Sequence, residues 1–273
     1  MTTTSASLPA ARERTRARGR AEPFLWGLVG VVVLAIALQV VPALGIVNPQ
    51  FFPPLDRVVV AFAGELATPA FWSALLATLY GWLLGLAIAT VAGVVLGVLI
   101  AGIPIVAELL NSTIEFLRPI PSVALVPLVV LLFGISMQAT LVLVVYASLW
   151  QVLIQVMYGV RAVDVVATET ARSYHVASWR QVTRVIWPSI LPYVFVGIRL
   201  AATVALVLEI TGELVIGSPG LGKQISLAQT SGAVDTMYAL IWVSALLGVV
   251  VSIGSRAAER RTMFWHPSIR GEV

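Results

Sequence analysis

Glu209 and Glu213 stand four residues apart in the apolar run Ile190 to Ile216, which places both carboxylates on one helical face. Arg199 belongs to the same run, about 15 Å from Glu209 at 1.5 Å per residue. An ionised group at the centre of a bilayer costs roughly 2.5–3.5 kcal/mol even on lenient insertion scales. Charges in such a run therefore face a watery cavity, meet a partner, or lie near a helix end. Glu213 is expected near the outer end, where the cost is small. Glu209 lies deeper. Two chemistries suit it, lining of a solute pathway and an internal structural bond, and the residues leave both open.

Other reactive arrangements are scarce. His175 and His266 are the only histidines, and neither has a histidine four residues away. With no cysteine there is no thiolate metal site, disulfide framework or cysteine nucleophile. No metal is expected, no cofactor is expected in this chain, and no nucleophile and base stand in a catalytic arrangement. Gly217-Ser218-Pro219-Gly220-Leu221-Gly222-Lys223 matches the spacing of a phosphate-binding loop, but Gln224 stands where the magnesium-binding Ser or Thr belongs. The preceding segment is an apolar helix rather than a strand. A tight turn is the expected role of these glycines. An enzyme is not expected.

The elements that carry these residues follow from composition. Of 273 residues, 59% are hydrophobic and 11% charged, with a mean hydropathy of +0.97. Soluble domains carry roughly 25% charged residues, so this chain cannot cover a water-facing surface. A membrane helix takes ~20 apolar residues, and six runs qualify. They are 24–41, 75–101, 120–134, 139–158, 190–216 and 238–254. The third is short and borrows from the stretch 103–117, where Glu108 and Glu115 sit. The reading is an all-α membrane protein of six helices. The excess of 17 basic over 13 acidic residues is too modest to imply nucleic-acid binding.

Charge placement supplies the orientation. With both termini in the cytosol, the inner segments hold Arg12, Arg14, Arg16, Arg18, Arg20, Arg118, Arg161, Arg172, Arg180, Arg184, Arg256, Arg260, Arg261 and Arg270. The outer loops hold only Arg57 and Lys223. Fourteen against two is a strong positive-inside asymmetry. The expected organisation is a basic cytosolic tail over 1–23, a six-helix membrane domain over 24–255 and a cytosolic tail over 256–273. The first helix is expected to be retained, because no small-residue cleavage site follows it. The five-arginine tail also suits contact with membrane lipid.

Three segments carry local detail. Gly81, Gly85, Ala89, Gly93, Gly97 and Ala101 recur every fourth residue, a stripe along which another helix can approach closely. After Asn48-Pro49-Gln50-Phe51-Phe52-Pro53-Pro54, residues 55–66 read as a short helix at the outer face. The cytosolic segment 163–187 reads as two short helices meeting near His175. Asp164 is a good N-cap, and Ser178 with Gln181 predicts a capping box. Exposed charge, small residues and apolar Tyr174 and Trp179 suit a docking knob.

In this segment Glu169-Thr170-Ala171 and His175, followed by Pro188 and Pro192, resemble the EAA signature of ABC importer permeases. Phe52-Pro53-Pro54, Leu117-Arg118-Pro119-Ile120-Pro121, Pro127, Phe133-Gly134-Ile135 and Gly220-Leu221-Gly222 fall in the order seen in alkanesulfonate, nitrate and taurine importers. The resemblance covers nearly the whole chain after the first span. It implies a type I importer transmembrane domain, multi-pass in the cell (cytoplasmic or inner) membrane. Two ATP-binding subunits would hold ATP and Mg, an extracytoplasmic binding protein would deliver solute, and a second permease copy would complete a homodimer. It further implies that Glu169, Thr170, Ala171, Arg172, Ser173, Tyr174, His175 and Val176 contact the ATPase as a coupling helix. The solute would be a small organic anion such as a sulfonate, nitrate or a taurine-like compound.

Two positions depart from the family pattern. Glycine usually stands at the position of His175, and alanine at that of Val176. The turn there favours positive φ, a region in which histidine is enriched among non-glycine residues. Glu209 stands where relatives carry an apolar residue, and it is expected to tune the pathway, with Arg199 and Glu213 as further candidate pathway groups. The competing function is a proton-coupled secondary transporter using Glu209 or Glu213. Inverted repeats would favour it, and none is evident.

Overall fold

The structure, a computed structural model, describes residues 15–263, with side chains from Trp26 onward. The side chains of Arg12, Arg14, Arg16, Arg18, Arg20, His266 and Arg270 lie outside the described set, as do most residues of the two tails.

Among the described residues there is no strand. The helices are α1 Thr15–Ala43, α2 Leu55–Leu66, α3 Pro69–Gly102, α4 Pro104–Leu117, α5 Val126–Phe133, α6 Met137–Arg161, α7 Val165–Ser173, α8 Ser178–Gln181, α9 Trp187–Ile216, α10 Leu221–Thr230 and α11 Val234–Thr262. A 3₁₀ turn, Ser122–Leu125, leads into α5, and a π-helical segment, Val182–Ile186, joins α8 to α9. Five stretches, in α1, α3, α6, α8–α9 and α11, are long and apolar enough to cross a membrane.

The third span departs from expectation. Residues 104–133 form two helical pieces bent by 84° rather than one rod, so the count reaches six only if that pair is one crossing. Pro119 and Pro121 cause the break, because neither has an N–H to continue the ladder. The carbonyl of Leu117 accepts from Ile120 N at 3.2 Å and from the Tyr146 hydroxyl at 2.7 Å. The second span also starts earlier than its apolar run. Thr68 caps α3, its Oγ1 accepting from Phe71 N at 3.3 Å, and Pro69 fits the first turn.

The chain divides into two units between Ala61 and Phe62. In the first, Gln39 and Asp56 exchange two hydrogen bonds of 3.2 Å, Gln39 Nε2 to Asp56 Oδ1 and Asp56 N to Gln39 Oε1. In the second, α6 packs along both α3 and α9. The small-residue stripe of α3 makes this possible. Gly81, Gly85, Ala89, Gly93 and Gly97 are all buried. A Cβ on Gly93 would sit 2.7 Å from Val152 Cβ, and one on Gly97 would sit 2.8 Å from Val156 Cβ. Backbones this close gain dispersion contacts along the whole crossing, the main source of helix association in lipid. Val152 and Val156 then join Ile190, Val194 and Ala201 in one buried cluster.

Candidate functional site

Two places hold the residues singled out by sequence. The first is the exposed segment 163–187. Asp164 caps α7, its Oδ1 accepting from Val166 N at 2.8 Å. The other end closes through paired backbone bonds, His175 N to Arg172 O at 2.9 Å and Val176 N to Ala171 O at 3.0 Å. These are the two bonds of a Schellman motif, whose C′ residue must be left-handed. His175 occupies that position with φ 52°, the sole non-glycine residue at positive φ among those described. Its Nδ1 lies 3.2 Å from Ser173 O, a local contact to the same turn.

Beyond the turn the capping box is absent. Ala177, not Ser178, is the N-cap residue, and Gln181 Nε2 donates back to Val176 O at 2.8 Å. The second helix is also not a separate short one. After Gln181 the backbone widens into the π segment, where Trp187 N donates to Val182 O, and runs straight on into α9. Pro188 explains the widening. Its ring would collide with the carbonyl of Arg184, four residues back, in a regular α-helix. The knob is therefore a short capped helix, α7, hinged onto the end of a membrane helix.

The surface of the knob is open. Glu169, Thr170, Arg172, Ser173, Tyr174 and His175 are exposed, while Ala171 and Val176 are half-buried. Tyr174 is 80% and Trp179 75% exposed, alongside exposed Val165 and Val166. These exposed apolar side chains share the segment with the charges of Glu169 and Arg172.

We expect His175→Gly to stabilise the turn by about 1 kcal/mol, since a Cβ in the left-handed region costs about that much. The exposed contact to Ser173 O offsets little of it. Hydrogen exchange at the Val176 amide should slow roughly fivefold. Faster exchange would mean that the imidazole holds the turn.

The second place is the end of α9. Glu213 lies near the helix end as expected, yet it is fully buried, at 0% exposure, rather than solvated. The following loop folds over it. Gly217, at φ 86°, ends α9, and the chain returns so that Gly222 N donates to Glu213 Oε2 at 2.8 Å. Thr78 Oγ1 donates to the same oxygen at 3.0 Å and accepts from Leu221 N at 2.9 Å. Glu213 thus caps the start of α10, where free N–H groups and the helix dipole favour a negative group. Gly222 is required here. A Cβ would run into the Ile210 carbonyl oxygen and lie 2.7 Å from Glu213 Cβ. The loop that mimics a phosphate-binding sequence holds an internal carboxylate.

Glu209 is 2% exposed, its carboxylate pressed against Gly81 of α3, and its Oε2 has no hydrogen-bond partner. Arg199 is not beside either glutamate. Its Nη1 lies 3.1 Å from Glu259 Oε2, an ion pair joining α9 to α11. Sequence reasoning missed Thr78, Gly222 and Glu259 as partners. Thr78 carried a signal, because it continues the buried face of α3 that bears the glycine stripe.

The family described as "Binding-protein-dependent transport system inner membrane component" matches residues 92–264. The taurine transport system permease protein TauC of Escherichia coli (strain K12) is 29% identical over 250 residues, 89% of this chain and 91% of that protein. The putative aliphatic sulfonates transport permease protein SsuC of Bacillus subtilis (strain 168) is 29% identical over 245 residues, 89% of this chain and 88% of that one. In fold the chain is similar to a bacterial ABC transporter involved in the import of the acidic polysaccharide alginate. That similarity has a TM-score of 0.62 at 15% identity and covers 92% of this chain and 100% of that one.

Proposed function

Because the chain belongs to the binding-protein-dependent transport system inner membrane components, the permeases of ABC importers, we propose that its 163–187 knob couples it to a separate ATPase. In this reading the chain has the type I importer fold, spans the membrane with both termini in the cytosol and pairs with a second copy. Two ATP-binding subunits, which carry the ATP and Mg, dock on the knobs, and an external binding protein delivers solute. The observation that carries the reading is the capped, outward-facing α7. It presents Glu169 and Arg172 beside exposed Tyr174 and is joined by the turn at His175 to the helix that runs on into α9. A rigid α7 turns displacement of the ATPase into movement of α9, and α9 packs along α6. Movement of this pair opens the pathway to alternate sides.

The solute is proposed to be a small organic anion of the sulfonate or taurine type, in line with the relatives. Glu209, buried against Gly81, tunes the pathway to it through the packing of α9 on α3. Glu209→Leu, at normal expression, is expected to change the order of preference among taurine, alkanesulfonates and nitrate. Uptake and specificity identical to wild type would remove that role.

The deciding experiment reconstitutes the permease with its ATPase and binding protein in proteoliposomes. Accumulation of taurine or an alkanesulfonate should require ATP inside and ignore the proton gradient. Accumulation that follows the gradient without ATP would overturn the reading in favour of a secondary transporter.

A further inference from the structure

A cleft of about 550 Å³ lies between the bend that follows α4 and the C-terminal end of α6. Arg118 and Arg161 line it, with Glu115, Asn111 and Tyr158. We propose that this cleft binds the phosphate headgroup of an anionic phospholipid, with Arg118 and Arg161 as its cationic ligands.

Neither guanidinium has an ion-pair or hydrogen-bond partner among the described residues, whereas Arg199 is paired. The carboxylate of Glu115 is already engaged, accepting from Asn111 Nδ2 at 3.3 Å. Two guanidiniums against one carboxylate leave the cleft cationic. It is also preformed. The Tyr146 hydroxyl holds the Leu117 carbonyl at 2.7 Å, so the bend that carries Arg118 is tied to α6, the helix that ends in Arg161. Both arginines stand at helix C-termini, where the backbone dipole stabilises a cation without neutralising it.

The remaining walls select a lipid over a free anion. Ile114, Ile154 and Met157 line the same cleft, an apolar surface that suits the start of an acyl chain. The volume falls in the range of small-molecule pockets, about 300–1,000 Å³. Basic clefts between membrane helices at the interface are a recurring way to hold anionic headgroups. The lipid would brace the bend against α6. The cleft needs no ATPase, so its test stands apart from that of the transport reading.

Full-length permease is purified from nanodiscs of phosphatidylcholine with phosphatidylglycerol, and co-purifying lipid is counted by native mass spectrometry. Wild type should retain phosphatidylglycerol in preference to phosphatidylcholine. Taking the usual gain per basic residue near an anionic surface, Arg118→Gln with Arg161→Gln should lower that preference about thirtyfold, and Arg161→Gln alone about fivefold. The single variant serves if the double one does not fold. Equal retention of the two lipids by wild type would overturn the proposal. So would an equal fall in Arg256→Gln with Arg260→Gln, which would show a general charge effect. Displacement of the lipid by millimolar inorganic phosphate would also overturn it, in favour of a soluble-anion site.

Discussion

Glu169→Arg is expected to abolish coupled transport in a reconstituted complex while leaving the permease folded. Glu169 is exposed on α7, away from the buried clusters, and its side chain makes no hydrogen bond or ion pair among the described residues. Exposed substitutions of this kind change stability by about 0.5 kcal/mol or less. At the proposed interface Glu169 is expected to meet a basic group of the ATPase, and the reversal sets like charge against it. Loss of a buried charge contact costs about 2–5 kcal/mol, a thirtyfold to several-thousandfold loss of affinity. ATPase co-purification and ATP-dependent uptake should fall together, or ATP hydrolysis should continue without uptake. The thermal unfolding midpoint of the isolated permease should stay at the wild-type value. Coupled uptake at the wild-type rate would remove Glu169 from the contact.

The second large effect is expected at Glu213. Glu213→Ala leaves Gly222 N without its acceptor and the Thr78 hydroxyl with only the Ala74 carbonyl, at 3.2 Å, in a place that water does not reach. Each buried polar group left unpaired costs about 1–3 kcal/mol, and the lost volume adds a cavity. The start of α10 should detach, which also loosens the cluster of Phe71, Ala74, Leu221, Ile225, Leu240 and Val243. A large fall in unfolding midpoint and new protease cleavage between residues 217 and 222 are the readouts. Glu213→Gln keeps an acceptor for Gly222 and should lose much less, the difference reporting the value of the charge at the helix start. If Glu213→Ala unfolded at the wild-type midpoint, the loop would be held by its apolar contacts alone.

These residues differ in how far they could be read from sequence. The N-cap at Asp164, the positive φ at His175 and the glycine stripe of α3 depend on neighbours within a turn or two. Their geometry follows from propensity and period. The capping box at Ser178 failed although its pattern was local. Gln181 found a better acceptor in Val176 O, and the π segment absorbed the approach to Pro188. Glu213 does lie near the helix end as expected, but its enclosure there was not legible, for another reason. Position along a helix says nothing of a loop that folds back over its end.

Composition and hydrophobic period were enough to establish a helical membrane protein, the order of its spans and a capped knob between the α6 and α9 spans. Those properties are sums over many residues or over one turn of backbone, so each stretch carries them alone. The 84° bend, the pairing of Arg199 with Glu259 and the enclosure of Glu213 by Thr78 and Gly222 came only from the packed chain. Thr78 is 135 residues from Glu213, and Arg199 is 60 from Glu259. Contacts at such separations exist only once close-packed helices have set which faces meet, and no single segment encodes that choice.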